Sequence, residues 1–330
     1  MKLISIPADF SPILADNYFH FEEVDPAEST EIYFFDSEGQ RLGARRYAGR
    51  SVIDSSPRAI IRRMLDPQPV VRGSLRLEQP AGRQVALSVA VGEDGERSAL
   101  ARFGANVVAL EPSAMVGPAR QRRVISPDEF DELSLYLKED DGVIVDVTTP
   151  QSDTSERLLR YVCPSSGLYT LTYSFEDLRS ALDQQEESVE LDLRVWIGGL
   201  LKGVIDYLVV PSAKGDCRVA WLDAYGAVRH YTFRSQPEEH QQVERRESDT
   251  LSGTHTLAVE SWSRLRLRSG LLSRGEMDFV RGLTSAPRLW RLEGDEWRPC
   301  TIEESVCRCS GEGAMSIDVT LRPSRKSQLW

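Results

Sequence analysis

The chain carries none of the short motifs that announce a reaction. It has no GxGxxG, no Walker loop, no HExxH, no GxSxG and no EF-hand loop. It has only four histidines, His20, His230, His240 and His255, and no two stand at a metal-ligand spacing. The five cysteines, Cys163, Cys217, Cys300, Cys307 and Cys309, are odd in number and unevenly spaced, which does not suggest a disulfide framework. Three of them crowd into "CTIEESVCRC". Zinc normally takes four ligands, and no second CxxC or histidine pair stands by to complete a site at Cys300, Cys307 and Cys309, so buried reduced thiols are expected. No cofactor is expected either.

Positive charge is also in short supply. Across 330 residues, 40 Lys and Arg face 51 Asp and Glu, a net charge of −11. Such a surface repels phosphate backbones and makes nucleic acid a poor partner. No apolar stretch approaches the roughly 20 residues of a membrane span, so no membrane partner is expected. Pro7 and Asp9 break the opening apolar run before a signal-peptide core can form, and folding in a cytoplasm is expected. With so many acids, candidate carboxylate pairs for sugar hydrolysis carry no information. "KEDDG", Lys138 to Gly142, suits either a cation or an acidic turn before a strand.

What is abundant is short alternating runs. "VELDLRVWI" sets Val189, Leu191, Leu193 and Val195 against Glu190, Asp192, Arg194 and Trp196, and "MSIDVTLR" and "SRLRLRS" alternate likewise. "EIYFFDSEGQRLGARRY", "RQVALSVAVG", "GVIVDV", "GLYTLTY" and "GVIDYLVV" add more. Gly, Pro and Asp punctuate them, and no regular strand–helix alternation suggests a doubly wound sheet. The expected class is mainly β, with antiparallel β-sandwich or barrel domains and a few short packed α-helices. Three helices are predicted. "SSPRAIIRRML" begins with Ser56 as cap and Pro57 at the first position. "SPDEFDELSLYL" has a Ser126/Glu129 capping box and Phe130, Leu133 and Leu137 on one face. "SRGEMDFVRGLTSAP" repeats the box with Ser273 and Glu276 and points Met277, Val280 and Leu283 inward.

"EPSAMVGPARQRR" reads as a linker between a strand-rich N-terminal third and the remainder of the chain, giving units at 1–116, 117–214 and 215–330. "SQPEEHQQVERRESDTLSG", Ser235 to Gly253, has no apolar periodicity and reads as a long polar loop, of a length that is usually functional. The most informative stretch is "CRVAWLDAYGAVRHYTF". Two runs flank a turn with Gly226 in the left-handed region. Arg229, Tyr231 and Phe233 alternate with Val228, His230 and Thr232. This suits a sheet-forming hairpin with aromatic cross-strand pairs. If Trp221, Tyr225, Tyr231 or Trp262 were exposed together, they would instead form a stacking face for sugar rings, and the chain would be a carbohydrate-binding or adhesion module. An enzyme is the weakest class. The terminal "RPSRKSQLW" ends in Leu329 and Trp330, a tip that either frays or docks on a neighbour.

Three stretches together carry a family likeness: "GRSVIDSSPRAIIRRML", this hairpin, and "SGLLSRGEMDFVRGLTSAPRLWRLEGDEWRPCTIEES". In that order they resemble structural proteins of the tail or baseplate of phages and prophages of Bacteroidetes, distal-tail-like in their domain order. Asp223 and Ala227 depart from the usual Asn and second Gly of the hairpin. The resemblance implies a tail-tube-like C-terminal domain, residence in the virion, a ring of identical copies, contacts with other tail proteins and possible contact with host-surface glycan. It implies no catalytic residue. The interface candidates are Trp221, Tyr225, Gly226, Tyr231, Phe233, Glu238, Arg245, Arg246 and Trp330, with the loop Ser235 to Gly253 reaching the next subunit.

Overall fold

Alternating and β-branched segments bury one face each, and three separate cores result. The computed structural model describes residues 1–71, 74–149, 155–182, 190–250, 253–309 and 314–323. The protein is mainly β, as the alternation predicts.

The first unit holds β1 (Lys2–Ser5), β2 (Phe19–Glu22), β3 (Thr30–Phe35), β4 (Arg41–Tyr47), β5 (Ile53–Ser55), α1 (Arg58–Met64), β6 (Arg76–Glu78), β7 (Gln84–Val91), β8 (Ala101–Gly104) and β9 (Ala114–Met115). A β1-β2-β5 sheet and a β4-β3-β7-β8 sheet enclose Phe19, Phe21, Ile32, Phe34, Val85 and Leu87. Helix α1 closes this core with Ile61 and Leu65 and keeps Arg58, Arg62 and Arg63 in solvent. Pro57, not Ser56, occupies its N-cap, and Ser56 Oγ accepts only from Arg58 N at 3.4 Å.

The second unit is a sandwich. It comprises β10 (Arg120–Ile125), β11 (Phe130–Leu137), β12 (Gly142–Thr148), β13 (Glu156–Val162), β14 (Gly167–Ser174), α2 (Phe175–Ala181), β15 (Glu190–Ile197) and β16 (Leu200–Val209). One sheet runs β10-β16-β15-β12-β13, the other β6-β14-β11-β9, and β10 pairs β16 in parallel. Strands β6 and β9, from before residue 117, thus complete the second unit's sheet. The linker predicted over Glu111–Arg123 carries β9 and the first four residues of β10.

Two expectations change here. Phe130–Leu137 is a strand, not a helix. All eight of its residues are buried, Leu133, Leu135 and Leu137 in the sandwich core and Phe130, Glu132 and Tyr136 on the opposite side. A strand covered on both faces loses its period-2 signature, so a helical spacing of Phe130, Leu133 and Leu137 survives by coincidence. Only half of the Ser126/Glu129 box forms: Ser126 N donates to Glu129 Oε2 at 2.8 Å, but Ser126 Oγ donates to Val210 O and Glu129 N to the Ser126 carbonyl, closing a turn. Conversely, α2 begins at a capping box of Ser174 and Asp177 that the strand-like "GLYTLTY" conceals.

The third unit is one sheet of order β18-β17-β21-β22-β23-β20-β19. Its members are β17 (Cys217–Leu222), β18 (Val228–Phe233), β19 (Glu238–Thr250), β20 (Gly253–Arg268), α3 (Arg274–Val280) with a 3-10 turn Arg281–Ser285, β21 (Leu289–Glu293), β22 (Glu296–Cys309) and β23 (Met315–Pro323). Helix α3 is capped by Ser273 and Glu276 as predicted, and Met277, Val280 and Leu283 seal the core under it. Most of the segment expected to be a polar loop is instead β19, and its last residue, Gly253, opens β20. The two strands pair from Glu238↔Arg266 to Thr250↔Gly253, with one register shift between Arg246 and Glu247. Backbone hydrogen bonds need no apolar side chains, so periodicity is silent about a hairpin with no core to cover.

Candidate functional site

The hairpin β17–β18 turns on Asp223. Its Oδ1 accepts from Tyr225 N and Ala227 N at 2.8 and 2.9 Å, and Gly226 N donates to Asp223 O at 3.1 Å. Gly226 has φ 74°, as the turn requires. A Cβ there would stand 2.8 Å from Asn106 N, because the tip lies on the first unit, where Val107 N donates to Ala224 O at 2.8 Å. The aromatic residues do not face a ligand. Trp221, Tyr231 and Phe233 belong to the third core, and Tyr225 is half-buried beside Phe10, Tyr136 and Leu168. A sugar-stacking face built on Trp221 and Tyr231 is therefore closed. Trp262 lies in β20, its side chain outside the described residues.

The other side of β18 meets β11, and there the chain assembles its charged interior. Glu132 is fully buried. Arg83, from the strand-entry loop of the first unit, donates to its Oε2 at 2.5 Å, and His230, from the third unit, stands 2.7 Å from its Oε1. Arg83 also donates to Thr170 Oγ1 and Gln68 O. One residue away, Asp131 accepts from Arg123 at 2.8 Å and from the Tyr207 hydroxyl at 2.5 Å, and Tyr207 in turn touches Tyr173 OH at 2.6 Å. Arg229 crosses the same junction, donating to Asp223 at 2.7 Å and to Val116 O at 2.7 Å. Glu129 holds Arg218 and Arg234 at 3.1 and 3.3 Å.

Protonation states follow from these contacts. Burial alone would raise the Asp131 and Glu132 carboxyls. Arg123 outweighs it at Asp131 and Arg83 at Glu132, and both stay below the usual carboxylate range. Burial lowers His230, and Arg218 adds to it, against the pull of Glu132. Its Nδ1 is buried with no partner. A protonated ring would strand a donor there, whereas a neutral Nε2–H tautomer donates to Glu132 and leaves only a bare lone pair. Tyr173 and Tyr207 are pushed above the ordinary phenol value by burial and Asp131. A carboxylate–imidazole pair at Glu132 and a carboxylate–phenol chain at Asp131, on adjacent residues, resemble the parts of an acid–base site. Here Glu132 and His230 are sealed from solvent by Phe130 and Trp297, whose rings lie 5.7 and 5.3 Å from the imidazole. The arrangement joins the three units.

The remaining sequence candidates disperse. Glu238 is exposed and paired with Arg268 at 3.3 Å. Arg245 is exposed on β19. Arg246 pairs with Ala258 along the backbone, its side chain outside the described residues, and Trp330 lies outside them altogether. Cys300 is buried while Cys307 and Cys309 are exposed, so the three do not converge. Burial pushes the Cys217 thiol up to about 11 and that of Cys300 up to about 12, so both stay protonated. Among the described residues no group of three or more His, Cys, Asp or Glu could hold a metal ion, and no helix is long and apolar enough to cross a membrane. "KEDDG" is a turn, with Lys138 N donating to Asp141 Oδ2 at 2.7 Å. Neither a scan of protein-family models nor a search of curated proteins finds a match for the chain. Sequence reasoning missed Arg83, Glu132 and Arg123. The available signal was charge inside a run otherwise apolar, "FDELSLYL".

Three outcomes are expected. Gly226→Ala should cost at least about 1 kcal/mol, from the left-handed turn and the contact with Asn106, read from urea unfolding; an unchanged midpoint refutes the turn's role. Arg83→Met should cost about 3–5 kcal/mol by leaving Glu132 under-paired, and the added change Glu132→Met should recover much of that; additive losses in the double-mutant cycle would show that the pair is not coupled. Stability should fall with acid. The folded His230 refuses the proton that an unfolded histidine takes below about pH 6.5, and Asp131 and Glu132 stay charged where unfolded carboxyls, near pH 4, take theirs. All three losses grow as pH drops from neutral towards the depressed folded values. Exposed His20, raised by Asp54 and Glu22, works in the opposite sense but is solvent-screened. Thermal melts between about pH 7 and pH 4 check the sign; a midpoint that rises with acid refutes it.

Proposed function

We propose that the chain is a non-enzymatic structural protein of a phage tail or baseplate, distal-tail-like, residing in the virion and assembling into a ring with copies of itself and with other tail proteins. The observation that carries this reading is the hairpin β19–β20. Thirteen residues of β19 pair with β20, a reach of about 40 Å at ~3.3 Å per residue. Only Leu265–Arg268 of β20 pair with β23. Among the described residues no other strand pairs with β19, or with β20 before Leu265. A two-stranded ribbon is marginally stable in water on its own, so an arm of this length gains most of its stability from a neighbouring molecule. Its exposed charged residues, Glu239, Arg245 and Glu247 among them, suit a polar contact and discourage unspecific edge pairing. The resemblance of three separate stretches to tail proteins supports the same reading.

Replacing Gln241–Ser263 by an Asn-Gly turn keeps the His240↔Arg264 pair and every core residue. The shortened chain should melt within a few degrees of the full one and fail to enter particles. Equal incorporation of the shortened chain, or a particle reconstruction with the hairpin in solvent and no subunit in contact, refutes the proposal.

A further inference from the structure

The seven-stranded sheet buries Leu265, Leu267, Ile317, Val319 and Leu321 on one side. The strand period turns arginines to the other: Arg264, Arg266 and Arg268 on β20, Arg322 on β23 and Arg308 on β22. Few carboxylates answer them. Asp318 takes Arg308 at 2.8 Å, Arg266 at 3.1 Å and Arg268 at 3.9 Å. Glu303 takes Arg264 at 2.5 Å and Arg322 at 3.4 Å, and Glu238 takes Arg268. The side chains of Asp318 and Glu303 are 10% and 19% exposed, those of the arginines 37% to 55%. The acids therefore lie beneath a guanidinium layer. Arg308 and Arg266 hold Asp318 ionised against burial. The result is a positive face on a chain of net charge −11.

The opposite charge is concentrated elsewhere on the same chain. A cleft of about 700 Å³ opens between the second and third units. Asp128, which accepts from Ser212 Oγ, and Glu176 stand exposed around it. Within, Arg218 and Arg234 are already taken up by Glu129 and Asp216. The cleft can thus accept guanidinium groups, and the arginine face can supply them with planar, multi-donor contacts.

We infer that the arginine face of the third unit docks on the acidic cleft of a second copy of this chain. The inference rests on the self-assembly reading and deepens it. Face and cleft use different residues, so the contact is head-to-tail, the kind that generates rings when the rotation closes. The arm then extends a contact that charge pairing orients. Duplex nucleic acid is the other partner that a guanidinium face takes, and the test separates the two.

The experiment is sedimentation velocity of the full chain at about 50 mM and about 500 mM salt, where Debye screening differs strongly. Arg308→Glu and Arg322→Glu set a second carboxylate beside Asp318 and Glu303, and Asp128→Arg and Glu176→Arg give up a contact with Ser212 and a helix-start acid, so each should lower the melting midpoint modestly. The neutral changes Arg308→Gln and Glu176→Gln, which should melt within a few degrees of the parent, are measured beside them. Each should weaken self-association by at least about tenfold at low salt, and Arg308→Glu with Glu176→Arg in one chain should recover a large part of it. Association insensitive to all four substitutions, or sensitive at the face and not at the cleft, overturns this inference while the ring reading stands. A full chain that stays monomeric at every salt and concentration, and that enters particles equally well without its arm, overturns both. A band shift of a 20-base-pair DNA duplex that Arg308→Glu abolishes assigns the face to nucleic acid and also overturns it.

Discussion

Three separately cored β units are held in one arrangement by a carboxylate that has no route to water. Glu132 is sealed in the second unit's outer face, and its two oxygens are taken by Arg83 of the first unit and His230 of the third. An unpaired charge in such a place costs several kcal/mol, so any docking that leaves either partner behind is strongly disfavoured. An apolar interface tolerates sliding, whereas this one admits a single registry. Arg229, tied to Asp223 within its own unit, adds a donor to Val116 O across the same junction. The pairs thereby define orientation more than they add stability.

That fixed junction gives the surface its character. With β18 pinned against β11, the hairpin tip rests on Asn106 and the aromatic residues of β17 and β18 are consumed by the core. The arm β19–β20, the arginine face behind β20 and β23 and the acidic cleft at the unit boundary remain exposed, beside scattered apolar side chains such as Leu14, Leu200, Val243 and Leu271. The surface thus presents a long arm and two patches of opposite charge, while among the described residues the carboxylate–imidazole pair Glu132–His230 lies sealed inside the junction.

Much of this was legible from residue order. The mainly β class followed from alternation, α1 and α3 from their apolar stripes, and the turn at Asp223–Gly226 from its chemistry. Misreadings share a cause: local pattern reports only what a segment buries on one face. Phe130–Leu137 is buried on both, so two periodicities fitted it and the wrong one was favoured by a half-formed capping box that serves a turn. Glu238–Thr250 covers no core, so it had no periodicity and read as a loop, although β20 pairs with it from end to end. Helix α2 was hidden because its box begins inside the last residue of a strand.

By itself the sequence determined the class of structure, the turn types, two of the helices, the excess of negative charge and the scarcity of metal ligands, because each of these depends on neighbours a few residues apart. Only the tertiary structure decided that Arg83, Glu132 and His230 meet, that Trp221 and Tyr231 are core rather than platform, and that five arginines share one face. Those outcomes join residues 49 to 98 positions apart, as in Glu132 with Arg83 and with His230. At such separations no local propensity acts, and the burial of a charge is settled by which partners the packed units bring to it.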